Sequence, residues 1–411
     1  MEYVLKTENV FKKSKAHEEK MKEVIKMKKI KLVILIFIIF LCPIMLVGCW
    51  NYREIDSLAI VTGIAIDKDM ITKRYIVTSE IITTQMSGVS SIINSEFYRS
   101  EGDSIFGAVR NTIEISGLKL FWSDAKVVII SKEIAQEGVI PVIDWVNRSS
   151  DVRSDMWLLI SKGNSAAEIL KAKVKLNAVT SFHLNETMKS GKTVSKYTDS
   201  RLWTFIDGIS SKGKSEVVAT VSTELNNITL VPRIAGSAVF KSDKLVGYLN
   251  ENETLYMLMV KSKLKEGLIV LKNVSGSDTD VTLGIHENKT KLTPLYNNGT
   301  ASLIIDLYPV ATIDDVGGTK DFIKEDTLKI LQSEAENKIK TQIEYLISKL
   351  QKDYHSDVLG FGETFDKEKP KVSKTFKENG IDIFTIMKAE VNVHLQIKGS
   401  GKTNDPITIK K

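Results

Sequence analysis

The chain has 411 residues, is 43% hydrophobic and 26% charged, and carries a formal net charge of +6. These values exclude a disordered or fibrous protein and suit a globular one of two or three domains. The charge is uneven: residues 1–48 hold ten Lys and five Glu, so the rest of the chain is nearly neutral and has no bulk basic surface for nucleic acid.

In chain order, the first element is a leader. Met27-Lys28-Lys29-Ile30-Lys31 is basic, Leu32 to Phe40 is an unbroken apolar run, and Leu41 to Val47 continues it around Cys42 and Pro43. A basic start, an apolar core and a small residue at the junction are the parts of a secretory signal. Leu46-Val47-Gly48-Cys49 resembles the lipobox of bacterial lipoprotein signals. That predicts a signal peptide over residues 1–48, cleavage between Gly48 and Cys49, and a diacylglyceryl group on the Cys49 sulfur. Two acyl chains, at ~0.8 kcal/mol per buried CH₂, hold a soluble body at a bilayer where one chain binds only marginally. The rival reading is an uncleaved transmembrane anchor, but the apolar run falls short of the ~20 residues of a spanning helix. Residues 1–26 are polar and extend the basic start, unless translation begins at Met21 or Met27. Trp50 directly follows the acylated cysteine, a place at the membrane interface that favours an amphipathic indole. Beyond Cys49 there is no thiol, which excludes a disulfide framework or a cysteine nucleophile from the body.

Leu58 to Asp67 is predicted as a buried strand ending in a turn, with Arg74 to Thr83 as its hairpin partner and Gln85 to Asn94 as a Ser-rich loop. Asp103-Ser104 caps a helix through Ile105, Val109 and Ile113. A strand at Lys126–Ile130, a helix from Ser131 stopped by Gly138, a helix from Pro141, a strand at Trp157–Ile160 and a helix capped by Asn164 or Ser165 follow. Ser210 to Ser215 is a polar linker. Strand patterning over Glu216–Leu230 leads to a hairpin, Gly236–Phe240 against Leu245–Leu249, and to a short helix over Glu251–Val260. Strands are expected at Val281–Ile285 and Ala301–Ile313. Leu328, Leu331, Ala335, Ile339, Ile343, Leu346, Leu350 and Tyr354 then make one apolar stripe on a long helix. It is expected to pack on flanking strands, including an alternating one at Ile386–Ile397, rather than to form a coiled coil.

Chemistry-bearing motifs are sparse. The histidines His17, His183, His286, His355 and His394 are scattered without metal-ligand spacing. No P-loop, dinucleotide fingerprint or nucleophile elbow is found, and Lys212-Gly213-Lys214-Ser215 lacks the upstream Gly and the strand that a phosphate loop needs. No catalytic residue, metal site or cofactor is predicted, and the expectation is that the chain is not an enzyme.

Several segments together resemble the Ger(x)C family of spore germination lipoproteins. They are Gly48 to Ile55 with Leu58 to Asp67; Ile129 to Gly138; Asp144, Arg148 and Asp151-Val152-Arg153; Gly236 to Asn250 closed by Glu253-Thr254; and Asp357-Val358-Leu359-Gly360-Phe361-Gly362. Departures are Asn51 and Asp124, where the family's pattern has Asp and His, and a late segment without tryptophan whose nearby aromatics are Phe376 and Phe384. The resemblance implies an α+β, three-domain body with mixed β-sheets and no known catalytic activity. With the element pattern it predicts an N-terminal domain over 49–209, a middle domain over 216–270, and a C-terminal domain over 278–411 that packs the long helix on a sheet. It also implies integral membrane A and B subunits as partners, a lipid-anchored location on the outer face of the spore inner membrane, and a response to small nutrients. Direct nutrient binding by this subunit is left open. A solute-binding lipoprotein of a transporter is the alternative, and an envelope hydrolase a more distant one.

Overall fold

The computed structural model describes residues 2–45, 58–87, 90–163, 165–174, 178–210, 215–318, 322 and 324–400. The chain divides into two units, Met1–Ser57 and Leu58–Lys411. In the first, a single helix α1 (Glu2–Met45) carries both the polar start and the apolar run. Among the described residues no helix is long and apolar enough to cross a membrane.

The second unit holds two sheets. The first has nine strands: β1 (Leu58–Lys68), β2 (Tyr75–Ser87), β3 (Ser90–Gly102), β4 (Lys119–Phe121), β5 (Val127–Ile130), β6 (Trp157–Ser161), β7 (Val217–Asn226), β8 (Thr229–Lys241) and β9 (Lys244–Leu249). They run in the order β3-β2-β1-β5-β6-β7-β8-β9, with β4 also on β1. The centre, β1-β5-β6-β7, is parallel, and antiparallel hairpins close both flanks. Parallel strands need both faces covered, which explains why β5 and β6 read as unbroken apolar runs. Side chains alternate between the faces. Val128, Ile130, Leu158 and Ile160 pack under α2 (Ile105–Ser116), α3 (Lys132–Glu137), α4 (Ile140–Arg148) and, further along the chain, a helix at Leu202–Ser210. Val127, Ile129, Trp157 and Leu159 face α5 (Ala166–Leu170) and α6 (Thr180–Ser190). The helix at Leu202–Ser210 is α7. In β1, Ala59 and Val61 share a face with Ile64 and Ile66 because an irregularity between Val61 and Gly63 switches the parity.

The second sheet comprises β10 (Gly267–Leu271), β11 (Asp280–Asn297), β12 (Thr300–Gly317), β13 (Lys388–Val393) and β14 (Gln396–Ser400). β10, β11 and β12 are antiparallel, while β13 and β14 both run parallel to β12. That parallel return is a crossover through the long helix α9 (Glu325–Lys349), and it also passes through α10 (Phe361–Glu368), α11 (Pro370–Glu378) and α12 (Ile383–Ile386). Leu331, Ala335, Ile339, Ile343, Leu346 and Leu350 are buried against β12, β13 and α8 (Glu251–Val260), with Leu328 and Tyr354 half-buried at the ends. The stripe therefore packs within the chain, as its flanking strands implied.

Several expectations need correction. Residues 85–94, read as a loop, continue β2 and β3 as a hairpin paired as far as Ser87 with Ser90. Serine carries little strand signal, but backbone pairing at a sheet flank does not require a buried face. The strand expected over Ile386–Ile397 is two strands interrupted at His394-Leu395 and preceded by α12. The span 216–270, expected as a middle domain, gives β7, β8 and β9 to the first sheet and α8 and β10 to the second core. The Ser210–Ser215 linker lies mostly outside the described residues.

Candidate functional site

Gly48, Cys49 and Trp50, on which the lipidation, cleavage and interface expectations fall, lie outside the described residues. Two of the family-like segments of the body, by contrast, meet at one place, where β8, β9 and α8 (Gly236 to Asn250 with Glu253-Thr254) face the end of α9 and the loop before α10 (Asp357 to Gly362).

The β8–β9 hairpin turns at Ser242-Asp243, and Gly236 and Gly247 lie within its two strands. Gly236 has φ +80°, and a Cβ there would sit 2.4 Å from the Leu249 carbonyl oxygen. A Cβ on Gly247 would lie 2.2 Å from Tyr354 Cζ, so only glycine lets that ring approach. The Tyr354 hydroxyl donates to the Tyr248 carbonyl at 2.9 Å and accepts from the Tyr248 N–H at 3.2 Å. The Ser356 hydroxyl donates to the Phe240 carbonyl at 2.8 Å. Asn250 and Glu253 form a capping box at the start of α8, and Glu253 also receives Lys349 of α9 at 2.8 and 3.0 Å. Burial works against the Lys349 ammonium, but the hydrogen bond and charge of Glu253 outweigh it and raise its pKa.

On the other side of α8 the motif Asp357 to Gly362 folds back on its own carboxylate. Asp357 accepts from the N–H of Gly360 at 2.9 Å, of Phe361 at 3.1 Å and of Gly362 at 2.6 Å. Gly360, at φ +81°, supplies the left-handed residue that starts α10. Burial pushes the Asp357 carboxyl up, against the pull of those three N–H groups and of Lys261. Lys261, just past α8, donates to the Val358 carbonyl at 2.5 Å, and burial pushes its ammonium down. A cleft of about 390 Å³ opens beside them, lined by Lys263, Lys367, Glu216, Glu363 and Thr290. Such a lining of both charges and hydroxyls suits a small polar molecule or a polar protein loop.

Two acidic residues do structural work that the sequence reading missed. Asp67 accepts the N–H of Ala166 at 2.6 Å and of Ala167 at 3.0 Å, capping α5 from β1; burial nonetheless raises its carboxyl. Glu80 accepts the N–H of Thr180 at 2.8 Å and of Ser181 at 2.9 Å at the start of α6. Their partners lie about a hundred residues away, so no local spacing signals them. The Asp144–Arg148 pair is an exposed i,i+4 contact at 2.8 Å, and Asp124 meets Lys126 at 3.6 Å. Phe384 is buried against Phe361, and Phe376 stands edge-on to Tyr296, each pair 6.0 Å apart. Among the described residues no His, Cys, Asp or Glu group could hold a metal ion.

The body is of the mixed α/β class, with two of its family-like segments meeting at one junction, and comparison gives the family. The model of the spore germination protein N-terminal domain matches residues 51–223, and that of the spore germination B3/GerAC-like C-terminal domain matches residues 235–401. The chain belongs to this GerAC-like family of spore germination proteins. It is 23% identical to spore germination protein KC of Bacillus subtilis (strain 168), over 91% of this chain and 97% of that one. It is 24% identical to spore germination protein YndF of the same organism, over 89% and 96%. The crystal structure of the GerBC protein shares the fold, with TM-score 0.52 and 17% identity over 82% of this chain and 97% of that one.

Proposed function

We propose that the chain is a non-enzymatic, lipid-anchored subunit of a spore nutrient germinant receptor. In this reading Cys49 holds it on the outer face of the spore inner membrane, beside two integral membrane subunits. The observation that carries the reading is the run of the two family matches from residue 51 to residue 401, beginning two residues after Cys49. Germination domains thus fill nearly all of the chain beyond the lipobox. A tethered body meets its membrane partners at a raised effective concentration, so docking needs no tight soluble affinity. The two sheets differ in strand number and direction, which counts against the paired similar lobes expected of a solute-binding lipoprotein.

The test is affinity purification of the full-length chain from spore membranes. The expected result is recovery of two polytopic germination proteins with it, and their loss from the eluate with Cys49→Ala. Recovery of a transporter permease instead, or of no polytopic protein from the wild type, contradicts the proposal.

A further inference from the structure

We infer that the edge of the nine-stranded sheet at the N-terminal end of β1 is a docking surface for the lipid bilayer. The inference rests on the lipid-anchored reading of Cys49 and adds which face of the body meets the lipid.

The chain enters the body at Leu58, which pairs with Lys119 of β4. From the end of β3 near the β1–β2 turn, α2 leads back to this edge, because β4 follows it directly. Its last turn and the residues after it therefore arrive beside Leu58. They leave Ile113 40%, Ile115 59% and Leu118 39% exposed. The β2–β3 hairpin extends past the Val61–Ile81 pairing by several residues, and Ile93, 49% exposed, lies on that extension opposite Thr84. Exposed aliphatic side chains thus stand at this end of the sheet on both faces, with Ile113, Ile115 and Leu118 on the α2 side and Ile93, in step with Ser95 and Phe97, on the α6 side; uncovered apolar groups at one end of a body mark an interaction surface. Polar groups stand among them too: Glu114, Ser116, Asn94 and an ion pair of Lys119 with Asp151 at 3.3 Å.

The opposite end of β1 is also apolar, with Ile71 at 93% exposure in the turn to β2. The length of the tether decides between the two ends. Nine Cα steps separate Cys49 from Leu58, and at 3.3–3.6 Å each they reach at most about 30–32 Å. The ten steps of β1 from Leu58 to Lys68 already cover about 33 Å at a strand's rise. With β1 upright on the bilayer, laying the Ile71 end on it would make the tether run back along the whole strand at its full stretch. The Leu58 end needs no such extension, and it places Ile93, Ile115 and Leu118 at the depth where aliphatic groups gain from leaving water.

The body has no thiol after Cys49, so single-site labelling is direct. Full-length acylated protein carrying Ile115→Cys, Ile93→Cys or Ile71→Cys would be labelled with a polarity-sensitive fluorophore. Each would be placed in phosphatidylglycerol–phosphatidylethanolamine vesicles with brominated acyl chains. All three side chains are exposed, so the substitutions leave the cores intact. The labels at 115 and 93 are expected to lose most of their emission to bromine quenching, while the label at 71 keeps its own. Unquenched labels at 115 and 93, or equal quenching at 71, with the acyl mass present on Cys49, overturn the docking edge and leave the anchor standing. A chain without acyl mass that washes off the vesicles overturns both.

Discussion

Glu253 serves the Asn250 cap and the Lys349 ammonium at once, where little water reaches either group. Removing one partner of so buried a pair strands the other charge. Glu253→Gln is expected to lower stability by about 3 kcal/mol or more in chemical denaturation. A loss below about 1 kcal/mol would mean that the pair behaves like a surface one. Asp357 gives a test by pH. Its folded carboxyl is raised above the ordinary 3.8 by burial, so the folded state holds the proton more tightly than the unfolded chain. The group's contribution to stability is therefore greatest below the unfolded value and is lost as pH rises through the folded one. Relative to Asp357→Asn, the wild type should gain in Tm as the pH falls from neutral toward the carboxylate range; a wild type that loses ground on acidification contradicts this. The family-like segments pointed to both residues, and Asn250 stands three residues before Glu253 as a capping box requires. Lys349 lies 96 residues from Glu253, and no spacing rule links them.

At the scale of elements, α9 was the most legible piece: six of the eight stripe positions fall in it, and Leu350 and Tyr354 fall in the π-helical turn (Leu350–Tyr354) that continues it, so the stripe admits one buried face. Ile339 sits mid-stripe and fully buried, so Ile339→Ala is expected to cost about 2–5 kcal/mol. Exposed Tyr345 on the same helix should cost no more than about 0.5 kcal/mol as alanine. Equal losses from the two in thermal or chemical denaturation would contradict the packing of α9 on β12 and β13. The caps at Ser104, Ser131 and Ser165 were also readable, and each side chain accepts the N–H three residues on. What escaped were elements whose stability comes from elsewhere. The serine-rich arms of β2 and β3 are held by pairing with each other, and the short helices α10, α11 and α12 by Phe361, Phe365 and Phe384 in a shared core. Windows of four to nine residues carry too few apolar positions to announce a helix.

At the scale of the whole molecule, the mixture of helices and strands was visible in the alternation of 2- and 3.6-residue patterns, but the assignment of strands to sheets was not. The polar stretch at 210–215 resembles a boundary, yet β7 pairs with β6 across it in parallel. Parallel pairing leaves no short turn to read, because its partners are joined through intervening helices. The molecule that results is a body with two sheets locked at the Glu253–Lys349 and Tyr248–Tyr354 contacts. The chain enters it at Leu58, nine residues after the predicted lipid site. The account of its function turns on that site. The intact mass of the full-length chain purified from membranes tests it most directly. The account predicts a chain beginning at Cys49 and carrying a diacylglyceryl group with its fatty acids; a mass matching the intact leader with no acyl addition would contradict it.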